Sequence, residues 1–439
     1  MTDRRRLATD VVRRLRAAGH EAYLAGGCVR DRLLGREPQD YDVATSAPPE
    51  AVQGLFPRTI PVGAQFGVIL VVERGARFEV ATFRSDDAYV DGRRPSAVHF
   101  GSAQDDACRR DFTINALFED PLTGEIHDFV AGVADLRAGV IRAIGDATAR
   151  IAEDRLRMLR AVRFAARLGF RIDPATRAAV VAAAPTLPDM AAERIGDEVV
   201  KILTEGSARR GFELLDATGL LPVVLPEVAR MHGVAQSPDH HPEGDVWEHT
   251  LLLLDQLAPG VPETLALGAL LHDVAKPLCA GRKGDRITFY GHPTAGATLA
   301  VEICQRLRRS RATWERVDYL VRHHLRLVQA PEMRLATLKK MLGEDGFPEL
   351  SRLARLDALA SSGDLRFVLF CERRKAELGA EALRPPRLLG GTELLALGYR
   401  AGPRIGEILR ALEDAQLEGE VRTREDAEAL VRARFPVDP

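Results

Sequence analysis

The sequence predicts an α+β protein: an α/β head with a small mixed sheet, followed by all-α segments to the end of the chain. Three observations predict it. The apolar stretch running into Gly26-Gly27, and the stretches Phe66–Glu73 and Arg77–Phe83, have strand length, and the last one alternates. From Ala149 onward the apolar residues recur at helical spacing, as in Ile151, Leu156, Leu159, Val162, Phe164 and Ala166. At 439 residues the chain exceeds one core, so two to four domains are expected.

The elements follow in order. The N-terminus reads as an amphipathic helix with Leu7, Val11, Val12 and Leu15 on one stripe. It lacks the apolar core of a secretory signal. A strand then runs into Gly26-Gly27, a brief helix follows, and Asp40-Tyr41-Asp42 opens a second strand. Pro48–Phe56 is predicted helical, and the two longer strands come next. Arg84–Phe100, polar and rich in Gly, Pro and Asp, is predicted to be a loop. Ala149–Phe170 is predicted to be one continuous helix. Gly219 and Pro222 end the helix within Gly211–Leu225, and the His- and Pro-rich stretch Met231–Asp245 marks a boundary. Gly390-Gly391 and Gly402-Pro403 divide the tail into short helices.

Composition excludes several classes. No run of about 18 apolar residues exists, so no membrane span is expected. Five cysteines without a CxxC pair argue against a disulfide framework or zinc ribbon, and a reducing cytoplasm is the expected compartment. A net charge of −2 excludes a uniformly basic surface but permits a local basic track.

The first chemical signal is the Leu24–Thr45 stretch. Glycines at 26 and 27 let backbone N–H groups approach an anion closely, beside a helix start. Asp40 and Asp42, at i and i+2, project to one strand face and repel unless a cation lies between them, which suggests Mg²⁺ and phosphoryl or nucleotidyl transfer. A turn with two solvated aspartates is the plain alternative. Glu79, on an alternating strand, is a candidate third carboxylate; an ordinary exposed strand glutamate is the alternative.

Next come Arg109, Arg110, Asp111 and Asn115. Arginine offers a planar donor fork to triphosphate oxygens. Asp111 and Asn115, read as one helical turn apart, have the donors and acceptors that sugar hydroxyls need. Further on, Asp154 and Arg157 stand at i and i+3, so an acceptor and a donor fork can meet the edge of one base. Cytosine and adenine both present an amine beside an acceptor, which matches that pair. A solvated i,i+3 salt bridge is the alternative.

The order Gly26-Gly27, Arg30, Asp40-Tyr41-Asp42, then RRDFTINA, then Glu153-Asp154 with Arg157, resembles the class II tRNA nucleotidyltransferases and bacterial poly(A) polymerases of the DNA polymerase β superfamily. The resemblance implies a nucleotidyltransferase head. In it Asp40 and Asp42 hold Mg²⁺, and Glu79 is the third acid. Gly26, Gly27, Arg30, Arg109, Arg110, Asp111 and Asn115 bind nucleotide, and Asp154 and Arg157 select the base with Arg160 in support. Asp128–Leu136 resembles the family's third motif, and Arg194, Glu198 and Lys201 its fifth, where buttressing salt bridges are the alternative role. The loop at Arg84–Phe100 has the length implied for CTP-to-ATP switching. The implied partners are tRNA, CTP and ATP.

The second half carries His249, His272-Asp273, His292, His323-His324 and Asp357 in the order of the HD-domain phosphohydrolases. All but His292 are predicted on or at the ends of apolar helices. His nitrogens and carboxylates suit a divalent or transition metal. The resemblance implies that His249, His272, Asp273 and Asp357 are first ligands, with His292 and His323 or His324 serving a second metal or phosphate. Arg384, Arg387, Arg400 and Arg404 in the tail are a candidate phosphate track, or solvated arginines on a helical cap.

These readings give a head over 1–147, a base-reading and RNA-binding neck over 148–230, an HD metal-binding domain over 231–375 and a helical tail over 376–439. The expected activity is template-independent CCA addition to tRNA, with possible HD phosphohydrolase activity. Alternatives are an A-adding enzyme, a poly(A) polymerase, an HD phosphohydrolase with a nucleotide-sensing head, or an RNA-binding protein with both sites idle.

Overall fold

The computed structural model describes residues 3–63, 66–86, 98–237 and 244–436. The chain divides into two compact units, Met1–Ala229 with Ala258–Gly260, and Arg230–Leu257 with Val261–Pro439. The first contains a seven-stranded mixed sheet. Its strands are β1 (Ala22–Ala25), β2 (Asp42–Thr45), β3 (Thr59–Gly63), β4 (Val68–Glu73) and β5 (Ala76–Thr82). Two short strands, β6 (Arg84–Asp86) and β7 (Val98–Phe100), form a separate hairpin. β8 (Leu117–Glu119) and β9 (Ile126–Asp128) complete the sheet in the order β3-β4-β5-β2-β1-β8-β9.

The one parallel pairing in that sheet joins β2 to β5, with Val43 opposite Val80 and Ala44 opposite Ala81. The apolar stripe Leu7, Val11, Val12 and Leu15 of the first helix, Asp3–Ala17, is fully covered. The other face of the sheet region packs Phe83, Phe118, Ala107 and Ile144. Burial of such side chains contributes about 1.5–3 kcal/mol each.

Several expectations are corrected. β6 and β7 pair Arg84 with Phe100 and Asp86 with Val98, so the ends of the expected loop are strands. The ladder satisfies backbone groups that a plain loop would leave to water. Its middle, 87–97, lies outside the described residues, as does 238–243 of the His- and Pro-rich stretch. The helix expected over Ala149–Phe170 is two helices, Ala147–Glu153 and Arg157–Leu168. Asp154 takes an extended conformation between them, and its carboxylate accepts from the Leu156 N–H at 3.1 Å. A side chain that caps a helix start competes with continuing the previous helix. Asp111 to Asn115 is likewise not a helical turn: a short helix ends at Cys108 and a 3₁₀ turn spans Thr113–Asn115.

The second unit is helical. Helices Val246–Asp255, Glu263–Leu271, His292–Arg306, Arg311–His323 and Phe347–Ala360 bury a core that includes Leu254, Leu267, Ala300, Leu320 and Leu353. His292 opens a helix, contrary to expectation; Gly291 at φ 77° turns the chain into it. Helix Arg366–Leu383 crosses the expected boundary at 375 and is interrupted instead at Gly379, φ 73°. The tail has its own small core of Leu394, Tyr399, Ile408, Leu412 and Val431. Among the described residues no helix is long and apolar enough to cross a membrane.

The loop that carries Asp111 and Asn115 is braced from behind by the Asp128–Leu136 stretch. Asp128 accepts from the N–H groups of Gly132 (2.8 Å) and Val133 (2.9 Å), capping helix Gly132–Ala138. Thr113 Oγ1 donates to Asp135 Oδ2 at 2.8 Å. Gly132 is required by space: a Cβ there would stand 2.2 Å from the Thr113 carbonyl oxygen. Gly132→Ala must therefore push backbone from backbone, at a cost of roughly 2–4 kcal/mol. Denaturant unfolding is expected to show a lower midpoint; an unshifted midpoint would contradict this close approach.

Candidate active site and metal centre

In the first unit, β1, β2 and β5 line one cleft of 530 Å³. Its walls include Gly26, Gly27, Arg30, Asp42, Glu79, Arg109, Arg110, Asp111, Asn115, Asp154, Arg157 and Arg160. The parallel register that sets Val43 beside Val80 puts Asp42, one residue earlier, beside Glu79. Asp42 meets the water of the cleft yet is walled in by protein on its other sides. That surrounding protein first, and Glu79 second, push its carboxyl up to about 6, against the pull of Arg110. Two oxygen donors that resist sharing negative charge fit a hard divalent cation. Asp40 stands just before β2, exposed, with its carboxylate 3.1 Å from Arg4 Nη1. It adds to the raised pKa of Asp42 but does not line the cleft.

Gly26 answers two demands. Its φ is 73°, and a Cβ would lie 2.8 Å from Arg110 Nη1. Only glycine adopts that backbone without strain while admitting the guanidinium. Arg109 and Arg110 are aimed by Asp106, whose fully buried carboxylate takes Arg109 Nη2 at 2.5 Å and Arg110 Nη2 at 2.9 Å. Asp106 was not among the expected residues. Its i,i+3 and i,i+4 spacing to the two arginines was the signal available.

Asp111 accepts from the Phe112 N–H (2.8 Å) and Asn115 Nδ2 (3.1 Å), and pairs with Arg160 through Nε (2.8 Å) and Nη2 (2.5 Å). Burial alone would raise this carboxyl; Arg160 and the hydrogen bonds outweigh it and hold it at about 2. Arg160 thus acts on Asp111. Arg30 is buried and donates to Asn115 Oδ1 at 2.5 Å, and Phe164 lies beneath the guanidiniums of Arg30, Arg160 and Arg163 at 4.4–5.3 Å. Phe164 reads in the sequence only as part of an apolar stripe.

Asp154 and Arg157 reach the same cleft from the break between the two neck helices. Arg157 Nη1 meets Glu153 Oε2 and the Arg150 carbonyl, each at 2.6 Å, and Asp154 pairs with Arg194 at 3.0 Å. Glu198 instead pairs with Arg163 at 2.8 Å and Lys201 at 3.4 Å, bracing the helices.

The second unit holds a separate cluster. His249, His272 and Asp357 form one triad of metal-ligating atoms; Asp273, His292 and His324 form another. Asp273 stands between them. Its Oδ2 is 3.2 Å from His272 Nε2, and its Oδ1 is 3.3 Å from His292 Nε2 and 3.8 Å from His324 Nε2. His249 Nε2 lies 3.1 Å from Asp357 Oδ1. Nδ1 of His272, His292 and His324 lies 2.7–2.9 Å from the carbonyl three residues earlier, which fixes Nδ1 as the donor and leaves Nε2 a lone pair. Yet the Nε2 atoms of His249 and His272 are 3.2 Å apart, and those of His292 and His324 3.3 Å apart. Asp273 Oδ1, buried, finds no well-formed hydrogen bond. Close-set imidazole nitrogens around an unsatisfied carboxylate fit divalent metal ions. Burial first, with His272 nearby, pushes His324 down to about 4, so it is neutral at pH 7.

The choice between His323 and His324 falls to His324. His324 is buried in the cluster, whereas His323 packs on Tyr319 with ring centroids 5.0 Å apart. One helical position rotates the side chain by about 100°, away from the centre. Lys276 was not expected: its Nζ lies 2.6 Å from Asp273 Oδ2 and 2.5 Å from Gln236 Oε1. The tail arginines are exposed, and Arg384 pairs with Asp345 at 2.6 Å.

Comparison with known proteins accords with both centres. Residues 22–142 match the family described as "Poly A polymerase head domain", 169–231 "Probable RNA and SrmB- binding site of polymerase A", and 245–361 "HD domain". A cleft of this composition within such a head defines a nucleotidyltransferase, here joined to an HD domain, and both domain types depend on divalent metals. The CCA-adding enzyme of Latilactobacillus sakei subsp. sakei strain 23K is 36% identical over 355 residues, 77% of this chain and 88% of the relative. That of Streptococcus sanguinis strain SK36 is 34% identical over 421 residues, 94% and 93% of the two chains. The crystal structure of the Bacillus stearothermophilus CCA-adding enzyme in complex with CTP superposes with a TM-score of 0.76 at 27% identity, covering 99% of this chain and 98% of its own. The chain belongs to the CCA-adding enzyme family.

The Asp111–Arg160 pair has an acid signature. The folded carboxyl lies below its ordinary value of 3.8, at about 2, so its stabilisation is complete above pH 4 and is lost as pH falls through 2. Parent protein is expected to lose roughly 2 kcal/mol more than Asp111→Asn across that window. Equal acid dependence of the two unfolding curves would show that the pair contributes nothing.

Proposed function

We propose that this protein adds CCA to tRNA 3′ ends from CTP and ATP without a nucleic-acid template. The observation that carries the reading is the convergence of acid pair, phosphate-binding arginines and base-edge pair on one cleft. Asp42 and Glu79, with Asp40 adjoining, would hold Mg²⁺, which when bound lowers the pKa of the RNA 3′-hydroxyl and neutralises charge on the triphosphate. Gly26 and Gly27 admit the triphosphate to the backbone. Arg109 and Arg110, aimed by Asp106, take its oxygens. Asp111 and Asn115, locked by Arg160 and Arg30, present the sugar with a fixed acceptor and amide. The 3′-oxygen forms a bond to the α-phosphorus as the bond to pyrophosphate breaks.

Asp154 and Arg157 read the base edge. Asp154 pairs with Arg194 and Arg157 with Glu153, so base binding exchanges these partners. The naming of the relatives as CCA-adding enzymes favours this activity over A addition alone or poly(A) synthesis. The division of labour assigned to this activity is a head over 1–147, a neck over 148–230, an HD domain over 231–375 and a tail over 376–439, the last boundary being shifted to Gly379 where the helix is interrupted. Free cysteines among the described residues suit a cytoplasmic site.

A second activity is favoured by the paired triads around Asp273: metal-dependent hydrolysis of a phosphate ester at a nucleotide end. Water bonds to phosphorus, the ester P–O bond breaks, and the ribose oxygen leaves with a proton as hydroxyl. His249, His272, Asp273 and Asp357, with His292 and His324, would hold the metal, and Lys276 fixes the orientation of Asp273.

Asp42→Ala is expected to lower transfer a thousandfold or more, on the order of the several kcal/mol a metal ligand supplies, with tRNA affinity near that of the parent. Gel-resolved extension of tRNA lacking CCA, with parallel binding, checks this; affinity lost in step with activity would count against the role. For Asp154→Ala, misincorporation of UTP or GTP is expected to rise before total incorporation fails. Single-nucleotide competition assays that return parental selectivity would sink the base-reading role.

A further inference from the structure

The segment between the two ligand-bearing parts of the HD centre carries groups that metal binding does not use. It leaves helix Lys276–Cys279, pairs Gly281–Lys283 against Arg286–Thr288 as a hairpin, and enters helix His292–Arg306. Its feet are thus tied to Asp273 and Lys276 on one side and His292 on the other. Arg282, Lys283 and Arg286 are exposed on it, with Asp285 the single opposing charge in the hairpin. Among the described residues none of these three cations forms an ion pair. Just beyond the hairpin Tyr290 is 75% exposed. An exposed aromatic ring beside the site offers a face on which a base can stack.

The ring and the centre share a cavity. Arg286, Thr288, Phe289 and Tyr290 face Asp273, His292, His324 and Asp357 across a space of 460 Å³. That volume admits one nucleotide. Arg282 and Lys283 lie outside the cavity, further along the same hairpin. A free nucleotide would end before them, whereas a chain would continue past them. A basic track beside an aromatic platform is the arrangement that holds single-stranded nucleic acid.

Building on the phosphohydrolase reading of this centre, we propose that the hairpin and Tyr290 form its RNA-binding lip. The lip takes a single-stranded 3′ end, with the terminal phosphate at the ligand cluster, the terminal base on Tyr290, and preceding phosphates along Arg286, Lys283 and Arg282. The specificity is for an RNA end over a mononucleotide.

The test uses the full chain and a six-nucleotide RNA with a 3′-phosphate and 2-aminopurine as its last base. Binding is read by quenching of 2-aminopurine, without added metal and again with Mn²⁺. Tyr290→Ala is expected to lose the quenching and about five- to a hundredfold in affinity, with Tyr290→Phe restoring both. The Arg282→Ala/Lys283→Ala/Arg286→Ala variant is expected to keep the quenching but reduce the slope of log affinity against log salt by about two. It should leave the affinity of a 2-aminopurine mononucleotide far less changed than that of the hexamer. Unchanged quenching in Tyr290→Ala, or equal losses for hexamer and mononucleotide in the triple variant, would overturn the lip. Release of phosphate from p-nitrophenyl phosphate by the parent with Mn²⁺, Ni²⁺, Co²⁺ or Zn²⁺ tests the underlying activity separately. Silence in that assay with quenching intact would remove the hydrolysis and leave the RNA lip standing.

Discussion

The parallel pairing of β2 with β5 sets two carboxylates side by side, and the rest of the first unit answers that repulsion. Asp42 and Glu79 repel each other across the cleft, and a cation held between them would relieve that repulsion. The answer is spatial. Arginines are gathered around the acids, and these are each restrained by another carboxylate: Asp106 for Arg109 and Arg110, Asp111 for Arg160, Asp31 for Arg30. The cations are thereby held at the cleft without collapsing onto Asp42 and Glu79. A buried network of this kind is costly unless every member is satisfied, so it also specifies the local geometry.

The second unit applies the same constraint with imidazole. Backbone carbonyls fix the donor nitrogen of three histidines, so their other nitrogens face inward as lone pairs around Asp273. Such an arrangement opposes itself in the absence of a cation. Helices and ligand geometry are therefore coupled: Asp273 and His272 come from the end of one helix, His292 from the start of another and His324 from the end of a third. Each centre keeps its charge problem within its own unit.

Much of this was legible in the residue order. The glycine pair, the acid pair, the RRD string and the histidine series each combine residue types whose chemistry requires company, so their order alone indicates two centres. Helices with a strong apolar stripe, such as Asp3–Ala17, were legible for the same reason. The break at Asp154 was not, because periodicity continues across it and only the capping bond to Leu156 interrupts the helix. Nor was the hairpin at Arg84–Phe100, whose strands are too short and polar to show alternation.

By itself the sequence determined the class of chemistry, the residue types that carry it and the succession of sheet-rich head and helical remainder. These depend on local periodicity and on functional groups that have few uses outside such sites. Tertiary structure alone decided which groups meet. It chose His324 over His323, gave Asp42 rather than Asp40 the cleft, turned Arg160 to Asp111 and Arg194 to Asp154, and recruited Asp106, Phe164 and Lys276. Those choices follow from strand register, helix rotation and helix breaks. Arg160 meets Asp111 and Arg194 meets Asp154 across dozens of residues with no mark on their immediate neighbours, whereas Asp106 and Lys276 stand a helical turn from their partners, a spacing that permits the contact without requiring it.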